Sequence, residues 1–174
     1  MSHVSLVLTV LGTDRPGLVE AIARVVAEHG ANWVESRMAH LAGQFAGILR
    51  VDVTADRAEG LANALRGLDE RGLDLIVHPD ATAAESSGAS PVQLELIGQD
   101  RPGIVREITH VLAAAGVNVE EFTTACTSAP TTGQTLFEAT ARLQLPPNIS
   151  ETQLRHDLEQ LATDMMVDIS LHRS

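Results

Sequence analysis

The feature that most constrains this chain is an internal repeat with a spacing of 86 residues. The run LGTDRPGLVEAIARVVAEHGAN, residues 11–32, returns as IGQDRPGIVREITHVLAAAGVN, residues 97–118. Between Leu11 and Met38, 12 of 28 positions are identical to their counterparts without a gap. A turn, an apolar stripe and a Gly-x-Asn ending all repeat together, which one chance match does not explain. The sequence therefore predicts two copies of one folded unit.

Each copy shows the same order of secondary-structure patterns. Alternating apolar residues predict strands, and apolar residues three to four apart predict amphipathic helices. In the first copy, the predicted strands cover residues 4–10, 33–41, 45–53 and 73–77, and the predicted helices cover 16–28 and 61–68. A turn is predicted at residues 42–44. In the second copy, the predicted strands cover residues 92–96, 117–124, 137–145 and 167–171, and the predicted helices cover 102–115 and 154–161.

The order β-α-β-β-α-β predicts the split β-α-β arrangement, an α+β ferredoxin-like fold. Right-handed crossovers place both helices on one face of a four-stranded antiparallel sheet. We expect one such domain over residues 1–80 and a second over residues 92–174. The small and polar residues of 81–91 predict a linker between them.

Helices on one face leave the opposite face of each sheet uncovered. A unit of about 80 residues with a bare apolar sheet face is marginally stable. We therefore expect the two copies to cover each other, edge to edge or face to face, and the chain to form a homodimer.

The composition argues against several classes of protein. The formal net charge is −11 and no basic block occurs, so we expect no direct binding to nucleic acid. Lysine and tyrosine are absent, which excludes Schiff-base lysines, P-loop lysines and tyrosine acids. Cys126 is the single cysteine, and the seven histidines form no pair at ligand spacing. We expect no metal, no cofactor and no enzymatic activity.

No apolar run approaches the roughly 20 residues that span a bilayer. The N-terminus also lacks the basic region and cleavage site of a signal peptide. These patterns predict a cytoplasmic protein without a membrane partner.

The motif G-x-DRPG-[LI]-V, with G-x-N at the helix end, in a β-α-β-β-α-β unit resembles the ACT domain family. A short acidic chain with two such units is similar to the glycine cleavage system transcriptional repressor family. The resemblance implies a small amino acid ligand, bound near the DRPG loop and often at an interface between modules. It also implies regulation through a DNA-binding transcription factor, with glycine as a possible ligand.

The same residues suit a small zwitterion on physical grounds. A helix start exposes unpaired N–H groups with partial positive charge, which favours a carboxylate. In this interpretation the amides of Gly17 and Leu18 bind the carboxylate, and Asp14 or Asn32 faces the ammonium. Pro16 suits the first helical position because it lacks an N–H. The equivalent residues of the second copy are Asp100, Pro102, Gly103, Ile104 and Asn118.

Several alternatives remain open in the sequence. Each DRPG aspartate could simply cap its helix. Arg15 and Arg101 could hold a carboxylate as a fork or be solvated. Glu35 and Glu121 could accept an ammonium or face water. The 126–135 loop could meet a partner or cap a ligand, or be a tolerated insertion.

The leading hypothesis is a non-enzymatic, amino-acid-responsive regulator that acts through a transcription factor. One alternative is a dimerising interaction module without a ligand. Another is a regulator of a different amino-acid pathway.

Overall fold

The computed structural model describes residues 2–80, 90–128 and 133–173. The chain divides into two compact units, with the division between residues 85 and 86. Each unit has its own cluster of buried apolar side chains, and the two clusters share no residue. The two predicted copies are therefore two separately packed units.

Unit 1 has the predicted element order with one additional short helix. Its elements are β1 (His3–Thr13), α1 (Leu18–Glu28), β2 (Asn32–Leu41), β3 (Gln44–Thr54), α2 (Ala55–Arg66), a 3-10 helix (Gly67–Arg71) and β4 (Leu73–Pro79). The strands lie in the order β2-β3-β1-β4, and every pair is antiparallel. Ala42 and Gly43, both with positive φ, connect β2 to β3.

Unit 2 repeats this architecture. Its elements are β5 (Ser90–Gln99), α3 (Ile104–Ala114), β6 (Asn118–Ser128), β7 (Thr135–Leu145), α4 (Glu151–Met165) and β8 (Val167–Arg173). The strand order is β6-β7-β5-β8. The predicted α+β fold, two ferredoxin-like units each with a four-stranded antiparallel sheet, is confirmed.

Two predicted connections need correction or fall partly outside the described residues. β5 begins at Ser90, so residues 90 and 91 of the predicted linker belong to a strand, and residues 81–89 are not described. The 126–135 loop is shorter than predicted, because β6 continues to Ser128 and pairs it with Thr135. Residues 129–132 of that loop lie outside the described residues.

The helix stripes pack on the sheets as a 3.6-residue period requires, with one correction. Leu18, Ile22 and Val26 of α1 are buried because they lie four residues apart on one face. The apolar stripe of the sequence also predicts Val19 as a core residue, but 45% of it is exposed, and its counterpart Val105 is 37% exposed. Each valine follows a buried residue by one position and is rotated about 100° away from the sheet.

The second correction concerns the sheet face that the helices leave uncovered, which we call the open face. In unit 1 this face carries apolar side chains such as Ile48 and Ile76, as predicted. In unit 2 the same positions are occupied by Thr140 and Ser170. The predicted bare apolar face is therefore wrong for unit 2, whose polar side chains can remain hydrated.

No helix in the described part of the chain is long and apolar enough to cross a membrane.

Candidate functional site

Each DRPG loop begins where the first strand of its unit ends, and a backbone hydrogen bond fixes it to a neighbouring hairpin. The Asp14 N–H donates to the Gly43 carbonyl at 2.9 Å. The Asp100 N–H donates to the Thr135 carbonyl at 3.0 Å. The loop in each unit is thus held at the end of the sheet from which α1 or α3 departs.

A glycine, not the predicted proline, forms the transition into each helix. Gly17 has φ 91° and Gly103 has φ 93°, in the left-handed region that glycine adopts without a Cβ clash. Both are N-cap residues, so the helices begin at Leu18 and Ile104. The prediction that Pro16 starts the helix is therefore wrong. Its counterpart Pro102 likewise precedes the helix, because the chain must first turn through the glycine.

This geometry leaves the helix start without a side-chain cap. The carbonyls of Gly17 and Gly103 accept the first helical hydrogen bonds, from Ala21 and Glu107, each at 3.0 Å. Glycine offers no side chain to the first amides, and within the described residues neither DRPG aspartate bonds to them. The capping interpretation of the aspartates is thus not supported, and the first N–H groups of both helices remain available.

In unit 1 this helix start lines an open groove of about 530 Å³. The groove is lined by Arg15, Pro16, Gly17, Leu18, Glu20, Ala21, Arg24, Glu70 and Leu73. A Cβ added to Gly17 would have nothing within 4 Å, so the approach to the helix start is unobstructed. Four of the six residues predicted for this copy therefore lie at one groove: Arg15, Pro16, Gly17 and Leu18.

The groove carries charges of both signs. Arg15 reaches the 3-10 turn, where its Nη2 lies 4.0 Å from the position of a Cβ on Gly72. Arg24 lies two turns into α1, on the side that Glu20 shares. Glu70 comes from the 3-10 helix. A small zwitterion could meet both a cation and a carboxylate here, beside the unpaired amides.

Asn32 does not belong to this groove, which corrects the predicted site. It pairs with Asp52, which in turn pairs with Ser5 near the start of β1, whereas Asp14 follows the end of β1. Along β1, Ser5 and Asp14 are nine residues of extended chain apart, roughly 30 Å at about 3.3 Å per residue. Asn32 cannot contact a ligand held at Gly17 of the same unit.

The same correction applies in unit 2, where Asn118 lies level with Pro91 at the far end of β5. Asp14 stands beside the groove of unit 1 but does not line it. The site that the sequence predicted as one cluster is therefore divided between two ends of each sheet.

Glu35 and Glu121 lie on the open faces and pair with arginines across the strands. Glu35 approaches Arg50 at 4.0 Å, and Glu121 approaches Arg142 at 3.0 Å. Their side chains are 59% and 54% exposed, so both face water, as one of the two open alternatives expects, while they also pair with an arginine. They are not groove residues.

Unit 2 presents the same loop with different charges around it. The repeat spacing places Arg101, Pro102, Gly103 and Ile104 at the positions of Arg15 to Leu18. Arg106 replaces Glu20, and His110 replaces Arg24. A Cβ on Gly103 would also find open space. The two helix starts have the same backbone shape but opposite charge at one position of the first turn.

Gly12 and Gly98 position the loops, a role that was not predicted from the sequence. A Cβ on Gly12 would lie 2.6 Å from the carbonyl oxygen of Gly72, and one on Gly98 would overlap Val167. Both glycines permit close contact between the first and last strands directly before the loop. Their repetition two residues before DRPG was the available signal.

Among the described residues, no group of three or more His, Cys, Asp or Glu side chains could hold a metal ion.

Comparison with known families agrees with the fold and the loops. Family profiles described as ACT domain match residues 5–78 and residues 92–153. The chain belongs to the ACT domain family. It carries two ACT domains in tandem, and both DRPG loops lie within the matched ranges.

The chain is similar to one bacterial protein in sequence and to two crystal structures in fold. The glycine cleavage system transcriptional repressor of Escherichia coli (strain K12) is 31% identical over 118 residues, which cover 67% of this chain and 62% of that protein. A crystal structure of a protein from Galdieria sulphuraria is 30% identical, with TM-score 0.89 over 99% of each chain. The crystal structure of a candidate glycine cleavage system transcriptional repressor has TM-score 0.73 and 20% identity, over 99% of this chain and 98% of that one. The last likeness shows the fold alone.

Proposed function

We propose that this tandem ACT protein is a regulator that binds a small amino acid at its DRPG loops, without enzymatic activity. The observation that carries the proposal is the glycine-capped helix start, present twice, with no side-chain cap and with open space around the capping glycine. Similarity to the Escherichia coli repressor over 67% of this chain supports a regulatory role. Because the match spans about 62% of that relative, the pathway and partners are also part of the proposal.

In unit 1 the ligand carboxylate binds the amides that follow Gly17, where the helix dipole adds favourable charge. Arg15 or Arg24 supplements this charge from the side of the groove. The ammonium lies near Glu20 and Glu70, which replace Asp14 and Asn32 in that role because they line the same groove. A groove with carboxylate and ammonium partners selects zwitterions over simple acids or amines.

The ligand changes transcription through a protein partner. The net charge of −11 opposes direct contact with the phosphates of DNA, so we propose that a DNA-binding transcription factor reads the state of this protein. Ligand binding and partner binding are then coupled by linkage, each altering the affinity for the other. We further propose that the protein is cytoplasmic and homodimeric, and that glycine is the first ligand to test.

The decisive experiment is calorimetric titration of the full chain with glycine, serine, alanine and the branched amino acids. Acetate and glycinamide serve as controls, since each keeps only one charge of glycine. Saturable heat with one amino acid, and none with either control, is the expected result. If no amino acid gives binding heat, the proposal of an amino-acid sensor is overturned. The alternative of an interaction module without a ligand would then be favoured.

Glycine variants locate the binding site. Gly17→Ala and Gly103→Ala each place a methyl group beside the amides, and we expect affinity at the altered loop to fall tenfold or more. Gly116→Ala is the matched control, because it has φ 67° at the opposite end of α3 and ordinary contacts around an added Cβ. All three alanines bear a similar left-handed strain of about 1 kcal/mol. Equal amino acid affinity in the three variants would show that the DRPG loops do not form the ligand-binding site.

A further inference from the structure

We infer that the open face of unit 1 is the surface through which two copies of this protein associate. The inference rests on the proposed homodimer and assigns its interface. It does not depend on a ligand, so its failure is distinguishable from failure of the amino-acid sensor.

The face consists of twelve positions in three rows across the sheet. The central row holds Arg37, Ile48, Thr9 and Ile76, which pair across β2, β3, β1 and β4. Ile48 is 57% exposed, Ile76 is 52% exposed and the adjacent Leu11 is 50% exposed. Three large aliphatic side chains thus form one patch on the sheet face that no helix of unit 1 covers.

Unit 2 provides an internal comparison, because duplication gives the same twelve positions on the same fold. Four of the twelve positions are apolar in unit 1 and polar in unit 2. Val7, Ala46, Ile48 and Ile76 correspond by strand register to Gln93, Glu138, Thr140 and Ser170. The fold therefore does not require apolar residues there, and the patch of unit 1 needs another explanation.

The charge of the open face of unit 1 favours the same face of a second copy as its binding partner. The twelve positions of unit 1 include two carboxylates, Glu35 and Asp74, and two guanidinium groups, Arg37 and Arg50. They are formally neutral, so two such faces meet without the repulsion that a chain of charge −11 otherwise imposes.

Because of its charge, the open face of unit 2 is a poor binding partner for the open face of unit 1. Its twelve positions contain four carboxylates and one arginine. The four carboxylates are Glu95, Glu121, Glu138 and Asp168. Packing this face against the open face of unit 1 would bring six carboxylates together with only three arginines, and burying the unmatched carboxylates costs free energy.

The size of the face sets the strength of association. Four strands about 4.8 Å apart, over some seven residues, give roughly 500 Å² per copy and about 1,000 Å² for the pair. Stable interfaces bury roughly 1,200–2,000 Å², so this one is at the weak end. We expect a monomer–dimer equilibrium in the micromolar range.

Sedimentation velocity from about 1 μM to about 500 μM tests the inference, a range that spans the expected equilibrium. Ile48→Thr and Ile76→Ser install the residues that unit 2 carries at the same positions. Each should weaken the dimer about tenfold, because exposed aliphatic area no longer becomes buried. Leu41→Thr, at an 80% exposed position in the β2–β3 hairpin, and Thr140→Ile are the controls and should leave the equilibrium unchanged.

The other outcomes overturn the inference. A wild-type chain that stays monomeric over the whole range has no such dimer. A dimer that survives both isoleucine substitutions has its interface elsewhere. Constant mass combined with a lower melting temperature in Ile48→Thr would mean that the face is covered within one chain. At concentrations where the chain is monomeric, unchanged melting temperatures are expected instead, because both isoleucines are about half exposed there.

Discussion

The glycines before the DRPG loops show how single residues can place a binding site. Gly12 and Gly98 carry no chemistry, yet the first and last strands of each unit approach closely only because these positions lack a Cβ. The last strand of unit 1 follows the 3-10 helix that supplies Glu70 to the groove. A change at Gly12 is therefore expected to affect both stability and groove shape.

We predict that Gly12→Ala lowers the free energy of unfolding by about 1–3 kcal/mol, because its methyl would overlap the backbone carbonyl of Gly72. Gly67→Ala is the matched control, since an added Cβ there meets nothing within 4 Å and φ is negative. Denaturant unfolding of both variants measures the difference. Equal stability would show that the strands separate at no cost and that Gly12 does not position the loop.

At the scale of elements, the helix starts differ in how their first amides are satisfied. α4 begins with Ser150, whose Oγ accepts a hydrogen bond from the Gln153 N–H at 3.2 Å. α1 and α3 begin with glycines that offer no such acceptor. The helices that carry DRPG are left open, whereas α4 is closed by its own side chain.

We predict that Ser150→Ala destabilises unit 2 by about 1 kcal/mol, the usual cost of losing an N-cap. Ser150→Asp keeps an acceptor at the same place and should retain the stability of the wild type. Thermal unfolding monitored by circular dichroism compares the two variants. If alanine and aspartate behave alike, the Ser150 hydroxyl contributes nothing to α4.

Patterns within each element were predictable because they depend on near neighbours in the sequence. The alternation of Phe45, Leu49, Val51 and Val53 identified β3, and all four side chains are buried. The helix boundaries were less accurate, since DRPG suggested a start at Pro16 when Gly17 must first adopt a positive φ. That conformation depends on how the loop is anchored to the β2–β3 hairpin, which the local pattern does not show.

At the scale of the whole molecule, duplication has produced two cores of the same design. Leu8 and Leu94 occupy equivalent positions on β1 and β5, and both are fully buried. They belong to separate clusters of buried residues. A substitution that damages one core should therefore lower the stability mainly of its own unit.

We predict that Leu8→Ala and Leu94→Ala each cost about 2–5 kcal/mol, the range for a large-to-small change in a packed core. Hydrogen exchange followed by mass spectrometry should show the larger loss of protection in the unit that carries the substitution. The two variants serve as controls for each other. Equal loss throughout the chain after either change would mean that the two cores unfold as one.

The sequence by itself determined the duplication, the order of strands and helices in each unit, and the position of the DRPG loops. These features follow from periodicity and turn chemistry within a few neighbouring residues. Only the tertiary structure decided which residues share a site. It brought Glu70 to Gly17 across 53 positions of sequence and placed Asn32 at the other end of the sheet. Whether two residues far apart in the sequence lie close together depends on where each crossover returns the chain to the sheet. The spacing of residues within one segment does not specify where the chain returns.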